Sequence, residues 1–164
     1  MKRNVLILAG LLIAIGAWAQ ESPRLKAEGE IAKVKITVDY GSPSVKGRTI
    51  WGSLEPYGKI WRAGANENTT ITFDADVKIN GEALAAGKYG FFIIPNEDAD
   101  WVIIFNRRNA DWGAYSYDIK EDALRVNIKP KFVSENQETL NYSVERNGIA
   151  FAWAKARLLI PVSQ

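Results

Sequence analysis

The chain has 164 residues, with 21 Lys and Arg against 19 Asp and Glu and neither His nor Cys. That is one domain's worth of chain, and its ordinary globular composition and net charge of +2 give no electrostatic footprint for nucleic acid or an acidic membrane. Without His and Cys, zinc, copper, haem and iron–sulfur centres lose their usual ligands, and neither a disulfide framework nor any His-dependent nucleophile can be built, so no cofactor is expected.

At the amino terminus, Lys2 and Arg3 precede an apolar run over residues 5–19. The run is shorter than the roughly 20 residues a membrane span needs. Ala17-Trp18-Ala19 then offers a small-x-small cleavage site before Gln20. The pattern predicts a signal peptide cleaved after Ala19. It implies a periplasmic or secreted protein, not a lipoprotein, since no Cys follows the site. Loss of Lys2 and Arg3 with the leader would bring the charge from +2 to zero. An uncleaved anchor is the alternative. The remaining 20–164 reads as a single domain without membrane insertion.

From there the chain reads as strands. Residues 31–38 alternate, with Val34, Ile36 and Val38 on one face and Lys33, Lys35 and Thr37 on the other. Residues 69–73 are short and β-branched. Residues 77–79 lead to Asn80-Gly81, a type I′ hairpin signal. An aromatic and β-branched run over 88–94 stops at Pro95. Residues 101–105 are apolar throughout, which predicts a strand buried on both faces. Residues 124–128 alternate up to Pro130, and Leu140, Tyr142 and Val144 share a face. Asn147-Gly148 predicts a second turn into a strand over 149–160. There the large Ile149, Phe151 and Trp153 alternate with Ala150, Ala152 and Ala154. A helix competes for that segment because Ala and Leu favour it. No stretch of ten or more residues shows a convincing helical period. Short strands punctuated by turns predict an all-β, antiparallel, jelly-roll-like β-sandwich.

Residues 41–68 fit no element. The stretch is rich in Gly and Pro and too long for a plain connector, so it is expected to be functional or packed on itself. It contains Arg48-Thr49-Ile50-Trp51-Gly52, Pro56-Tyr57-Gly58 and Trp61-Arg62-Ala63-Gly64-Ala65-Asn66-Glu67. Ala86-Gly87-Lys88-Tyr89, Ile104-Phe105-Asn106 and Trp112-Gly113-Ala114-Tyr115 follow. In order and wording these segments resemble the exported bacterial proteins grouped as domain of unknown function 2911, found largely in Bacteroidetes-type bacteria. The resemblance runs from about Ser22 to the C-terminus. It implies fold and compartment but no chemistry. Gly41-Ser42-Pro43 stands where that family pattern suggests Ser-Arg-Pro, and Ala63 where it suggests Thr.

The leading site candidates are Arg48, Trp51, Trp61, Arg62, Asn66 and Glu67, since Trp beside polar groups can grip a flat apolar face while fixing its hydroxyls. Arg adds a fork for carboxylate or phosphate. The alternative is structural, with Arg48 or Arg62 pairing Glu67 and both Trp side chains plugging the core. A second cluster follows the 101–105 strand and holds Asn106, Arg107, Arg108, Asp111, Trp112, Tyr115, Tyr117 and Asp118. It reads equally as a site at a strand end or as a solvated loop. The favoured reading is non-enzymatic binding of a small polar or sugar-like ligand, or a glycan, on the surface carrying residues 48–67. The first alternative is a glycosidase-like hydrolase, with Glu67 in an apolar setting and Asp39 or Asp111 as its second carboxylate. The other is a structural module of the cell envelope. Only oxygen ligands remain for a metal, and Asp74-Ala75-Asp76 and Glu97-Asp98-Ala99-Asp100 lack EF-hand spacing, so no metal site is assigned.

Overall fold

Hairpins generate the architecture. The computed structural model describes residues 22–164, so the expected leader lies outside the described residues. β1 (Arg24–Ile31), β2 (Val34–Gly41), β3 (Thr70–Phe73), β4 (Val77–Ile79) and β5 (Glu82–Leu84) form the first half. β6 (Gly87–Ile94), β7 (Trp101–Asn106), β8 (Asp122–Ile128), β9 (Lys131–Glu145) and β10 (Gly148–Ser163) complete it. A single 3-10 turn, Ile119–Glu121, precedes β8. One sheet runs β1-β2-β3-β6-β7-β8 and the other β5-β4-β10-β9, with antiparallel neighbours throughout. The chain is the expected all-β sandwich.

The period-two faces go inward. Val34, Ile36 and Val38 of β2 and Ile149, Phe151 and Trp153 of β10 are buried in one core. β7 is covered on both faces as its sequence implies, with Trp101, Ile103 and Phe105 in that core. Ile104, pointing the other way, is also fully buried. On that outer side the loop after β7 lays Tyr117 on Phe92, ring centroids 5.1 Å apart.

Three features depart from the sequence expectation. The predicted 31–38 strand begins at Val34, because Ala32 and Lys33 both take positive φ (48° and 70°) and turn the chain back onto β1. β1 itself went unread: its charges mark a protected edge more than a buried strand. The Asn147-Gly148 turn is displaced by one residue. Gly148 already pairs with Glu145, so Arg146 and Asn147 form the loop. Gly is required at 148 for a different reason: an added Cβ would lie 2.3 Å from the Ile160 carbonyl oxygen. Finally, the alternation of β10 breaks at Ala154, whose φ is 50°. Beyond this bulge the even-numbered Ala156, Leu158, Ile160 and Val162 point inward. Ala154 is therefore buried, unlike Ala150 and Ala152.

Residues 42–69 cross one end of the sandwich without regular structure. Trp61 pairs with Ile93 through both backbone hydrogen bonds, 2.8 and 2.9 Å. Its ring stacks on Trp153 at 5.5 Å and 19°. Trp51 meets Trp61, Trp101 and Trp153 in the same aromatic cluster. The stretch that fits no element is a strap that closes the core.

Candidate functional site

The strap's last residues and the loop after β7 are zipped together. Glu67 and Trp112 form an antiparallel bridge. The Asn68 amide donates to the Asp111 carbonyl at 3.0 Å, and the Gly113 amide to the Asn66 carbonyl at 3.1 Å. Positive φ at Asn66 (63°) and Gly113 (64°) lets both loops turn away at the end of this ladder. Trp112 is thereby held outward and is 56% exposed.

Beside Trp112 opens a cleft of about 260 Å³. Its charged walls are Arg24, Asp39, Glu67, Lys88 and Asp111, and Asn68, Thr70 and Asn109 add neutral polar groups. Arg24 organises it. Its Nε pairs with Asp39 Oδ1, and Nη2 donates to the Asn68 carbonyl at 2.9 Å and the Asp39 carbonyl at 3.1 Å. Nη1 donates to the Glu67 carbonyl at 3.3 Å and lies 3.9 Å from Glu67 Oε2. One guanidinium thus joins β1, β2 and the end of the strap. Lys26 adds a 3.8 Å contact to Asp39, and Arg108 pairs with Asp111 at 3.2 Å. Asn109 donates to the Lys88 carbonyl at 2.8 Å, fixing the far wall. Asn68 is 3% exposed, and its Oδ1 has no hydrogen-bond partner among the described residues. Three carboxylates share the cleft, yet among the described residues no three acidic groups stand close enough to hold a metal ion.

The sequence candidates divide sharply. Glu67 and Trp112 meet in the cleft, and Asp39 and Asp111, the proposed second carboxylates, line it with them. Asn66 frames it through its backbone, while its side chain donates to the Ser22 carbonyl at 3.3 Å. The remaining candidates lie elsewhere. Trp61 is 3% exposed and donates its indole N–H to the Gly64 carbonyl at 3.2 Å. Trp51 is half-buried in the same cluster. Both act as core plugs. Arg48 donates to the carbonyls of Val45 (3.0 Å) and Ser44 (2.5 Å) and lines a separate hollow with Ser22 and Lys46. Residues 48–67 therefore do not present one surface. The Arg62 Nε is buried without a partner among the described residues. Asn106 is fully buried and spent on structure: it donates to the Asp118 carbonyl (2.9 Å) and Asp122 Oδ1 (2.7 Å) and accepts from the Arg108 amide (2.9 Å). Tyr117 joins the same network, donating to Asp122 Oδ2 at 2.8 Å.

The expected apolar setting of Glu67 is also absent. Its side chain is 57% exposed beside Arg24. The perturbed carboxyl is Glu55, which no sequence signal marked. It lies in the turn where Glu55 N–H donates to the Ile50 carbonyl at 2.9 Å. Burial pushes its carboxyl from 4.5 up to about 7, against the opposing pull of Arg62 and then Arg48. The cleft residues that sequence reasoning missed are Arg24, Asn68, Thr70, Lys88 and Asn109. Each is an ordinary polar residue on a strand or in a loop, and only the sheet order β1-β2-β3-β6 brings them together.

These features define an all-β sandwich with an open, charge-lined cleft and one exposed indole at its rim. The chain belongs to the family described as Protein of unknown function (DUF2911), whose model matches residues 22–162. No curated protein and no solved structure matches it significantly. Ser42 and Ala63, where the sequence resemblance suggests other residues, lie away from the cleft walls. Ser42 is buried and donates to the Leu140 carbonyl at 2.7 Å. Ala63 is buried, and its carbonyl accepts from Thr69 (3.2 Å) and Tyr142 (2.8 Å).

Proposed function

We propose that this is an exported, non-enzymatic binding protein that holds a small polar, sugar-like ligand in the Trp112 cleft. The observation that carries the reading is the exposed Trp112 face, fixed by backbone pairing at the rim of a hollow whose other walls, Ala110 apart, are polar or charged. A sugar ring presents an apolar C–H face to such an indole and hydroxyls to the groups around it. Arg24 and Lys88 donate, while Asp39, Glu67 and Asp111 accept. The volume, below the roughly 300–1,000 Å³ of drug-sized pockets, suits one sugar-sized unit.

Calorimetric titration with a panel of neutral mono- and disaccharides tests this reading. Saturable binding that disappears in Trp112→Ala, with the melting temperature unchanged, is expected. Absence of binding across the panel, or equal binding by the variant, overturns it.

A hydrolase reading draws on the grouping of Glu67, Asp39 and Asp111 in one cleft. Against it, each of these carboxylates faces a cation, and none stands in the apolar enclosure that keeps a general acid neutral. Turnover of nitrophenyl glycosides that is lost in Glu67→Gln would replace binding by catalysis.

A further inference from the structure

On the opposite strand pair, β10 doubles back on itself. The Val162 amide donates to the Asn147 carbonyl at 3.2 Å, and Gly148 packs against the Ile160 carbonyl. The Ala154 bulge makes this possible, and β9 follows with register shifts opposite residues 152–156. Residues that are far apart along the hairpin consequently line one hollow of about 460 Å³, larger than the Trp112 cleft.

Its lining is two-sided. Ala150 and Ala152 from the first arm and Leu159 from the second supply apolar surface, and the small alanines leave the space open. Lys129, Lys131 and Arg157 supply positive charge against Glu145 alone. Arg157 is fixed in place, donating to the carbonyls of Ala154 (3.0 Å), Ala156 (2.9 Å) and Glu135 (3.1 Å). Among the described residues neither Lys129 nor Lys131 forms an ion pair. An excess of unpaired cations around an apolar floor calls for an anion that carries hydrocarbon.

The geometry points to a second ligand site in the β9–β10 curl, for a small amphipathic anion whose hydrocarbon body lies over Ala150, Ala152 and Leu159 and whose acidic head meets Lys129 and Lys131. The site is separate from the Trp112 cleft and does not depend on the reading given to that cleft. The volume lies within the range of small-molecule pockets, about 300–1,000 Å³.

Sodium octanoate is the probe, with acetate as the head alone and 1-hexanol as the body alone. Calorimetry should give saturable 1:1 binding of octanoate, with both controls at least about tenfold weaker, a difference of about 1.4 kcal/mol. The double variant Lys129→Gln/Lys131→Gln changes only exposed side chains and should weaken octanoate about tenfold or more. Ala152→Phe, which fills the hollow, should abolish binding, and a melting curve checks that it folds. Trp112→Ala should bind octanoate as wild type does. The proposal is overturned if octanoate does not bind, if hexanol binds as tightly, or if the lysine variant retains full affinity.

Discussion

Trp61 and Trp112 sit in two irregular loops that look alike in sequence, each an indole among Gly, Arg, Asn and an acid, yet their environments are opposite. Trp61 belongs to a strap whose backbone pairs with β6 and whose ring stacks on Trp153. Trp112 belongs to a loop that pairs with the end of that strap and is turned outward by it. The strap closes the core, and its last residues, Glu67 and Asn68, then meet the second loop to make a cleft. The difference teaches that aromatic and charged residues in a Gly-rich segment do not by themselves mark a binding surface. What separates the two indoles is the partner of the backbone beside them: a central strand in one case, another loop in the other.

The largest expected effect separates those two environments. Trp61→Ala should cost about 3–5 kcal/mol in denaturant unfolding, the range for emptying a large aromatic site. Trp112→Ala should stay within about 0.5 kcal/mol, as an exposed substitution does. Equal losses would mean that Trp112 is also a core residue.

The two glutamates of the strap sharpen the contrast. Glu55 has its folded pKa raised to about 7 by burial, so the folded state holds a proton that the unfolded chain releases near 4.5. Stability from this group is fully present below pH 4.5 and is lost as pH rises through 7, by on the order of 3 kcal/mol. Melting curves between pH 4 and pH 8 should show the decline, and Glu55→Gln should flatten it. A slope unchanged in the variant would place the titration elsewhere.

Much of the fold was legible in the residues: alternation in β2 and in β10 up to Ala154 reports which side chains point inward, and the unbroken apolar run of β7 reports burial on both faces. The Asn80-Gly81 turn was legible too, its two positive φ values being those that this pair favours. The site was less so. Glu67, Asp111 and Trp112 could be nominated because loops at strand ends carry unusual residues. Arg24 could not, since a charged residue on an edge strand looks like any other until β1 pairs with β2. Nor could the separation of Arg48 from Glu67 be read, because it depends on the path of a strap whose turns follow no repeating pattern.

Arg24 is the next test. Arg24→Ala removes the charged donor to the Asn68 and Asp39 carbonyls and should cost about 1.5–3 kcal/mol, the range for hydrogen bonds to charged groups. If the cleft is a ligand site, the same variant should lose binding more than stability.

The smallest effect is expected at Glu67. Its contact with Arg24 is long and half-exposed, and such pairs contribute about 0–1 kcal/mol. Glu67→Gln should therefore leave the melting temperature near that of wild type. A drop as large as that of Trp61→Ala would assign Glu67 to the strap's architecture and remove it from the cleft.

The placement of Arg24 also bears on motion. It sits at the first position of β1, an edge strand with charged residues at alternate positions, the kind of element that opens locally well before a core unfolds. Each fraying event at this strand end would withdraw the guanidinium that joins Asp39, Glu67 and Asn68, while the Trp61–Trp153 stack stays closed. The cleft can therefore come apart and re-form by local opening, on a timescale of roughly microseconds to seconds, without global unfolding. Amide hydrogen exchange should place Leu25 and Lys26 among the fast exchangers and Ile103 among the slowest. A ligand bound in the cleft would slow the first group and leave the second unchanged.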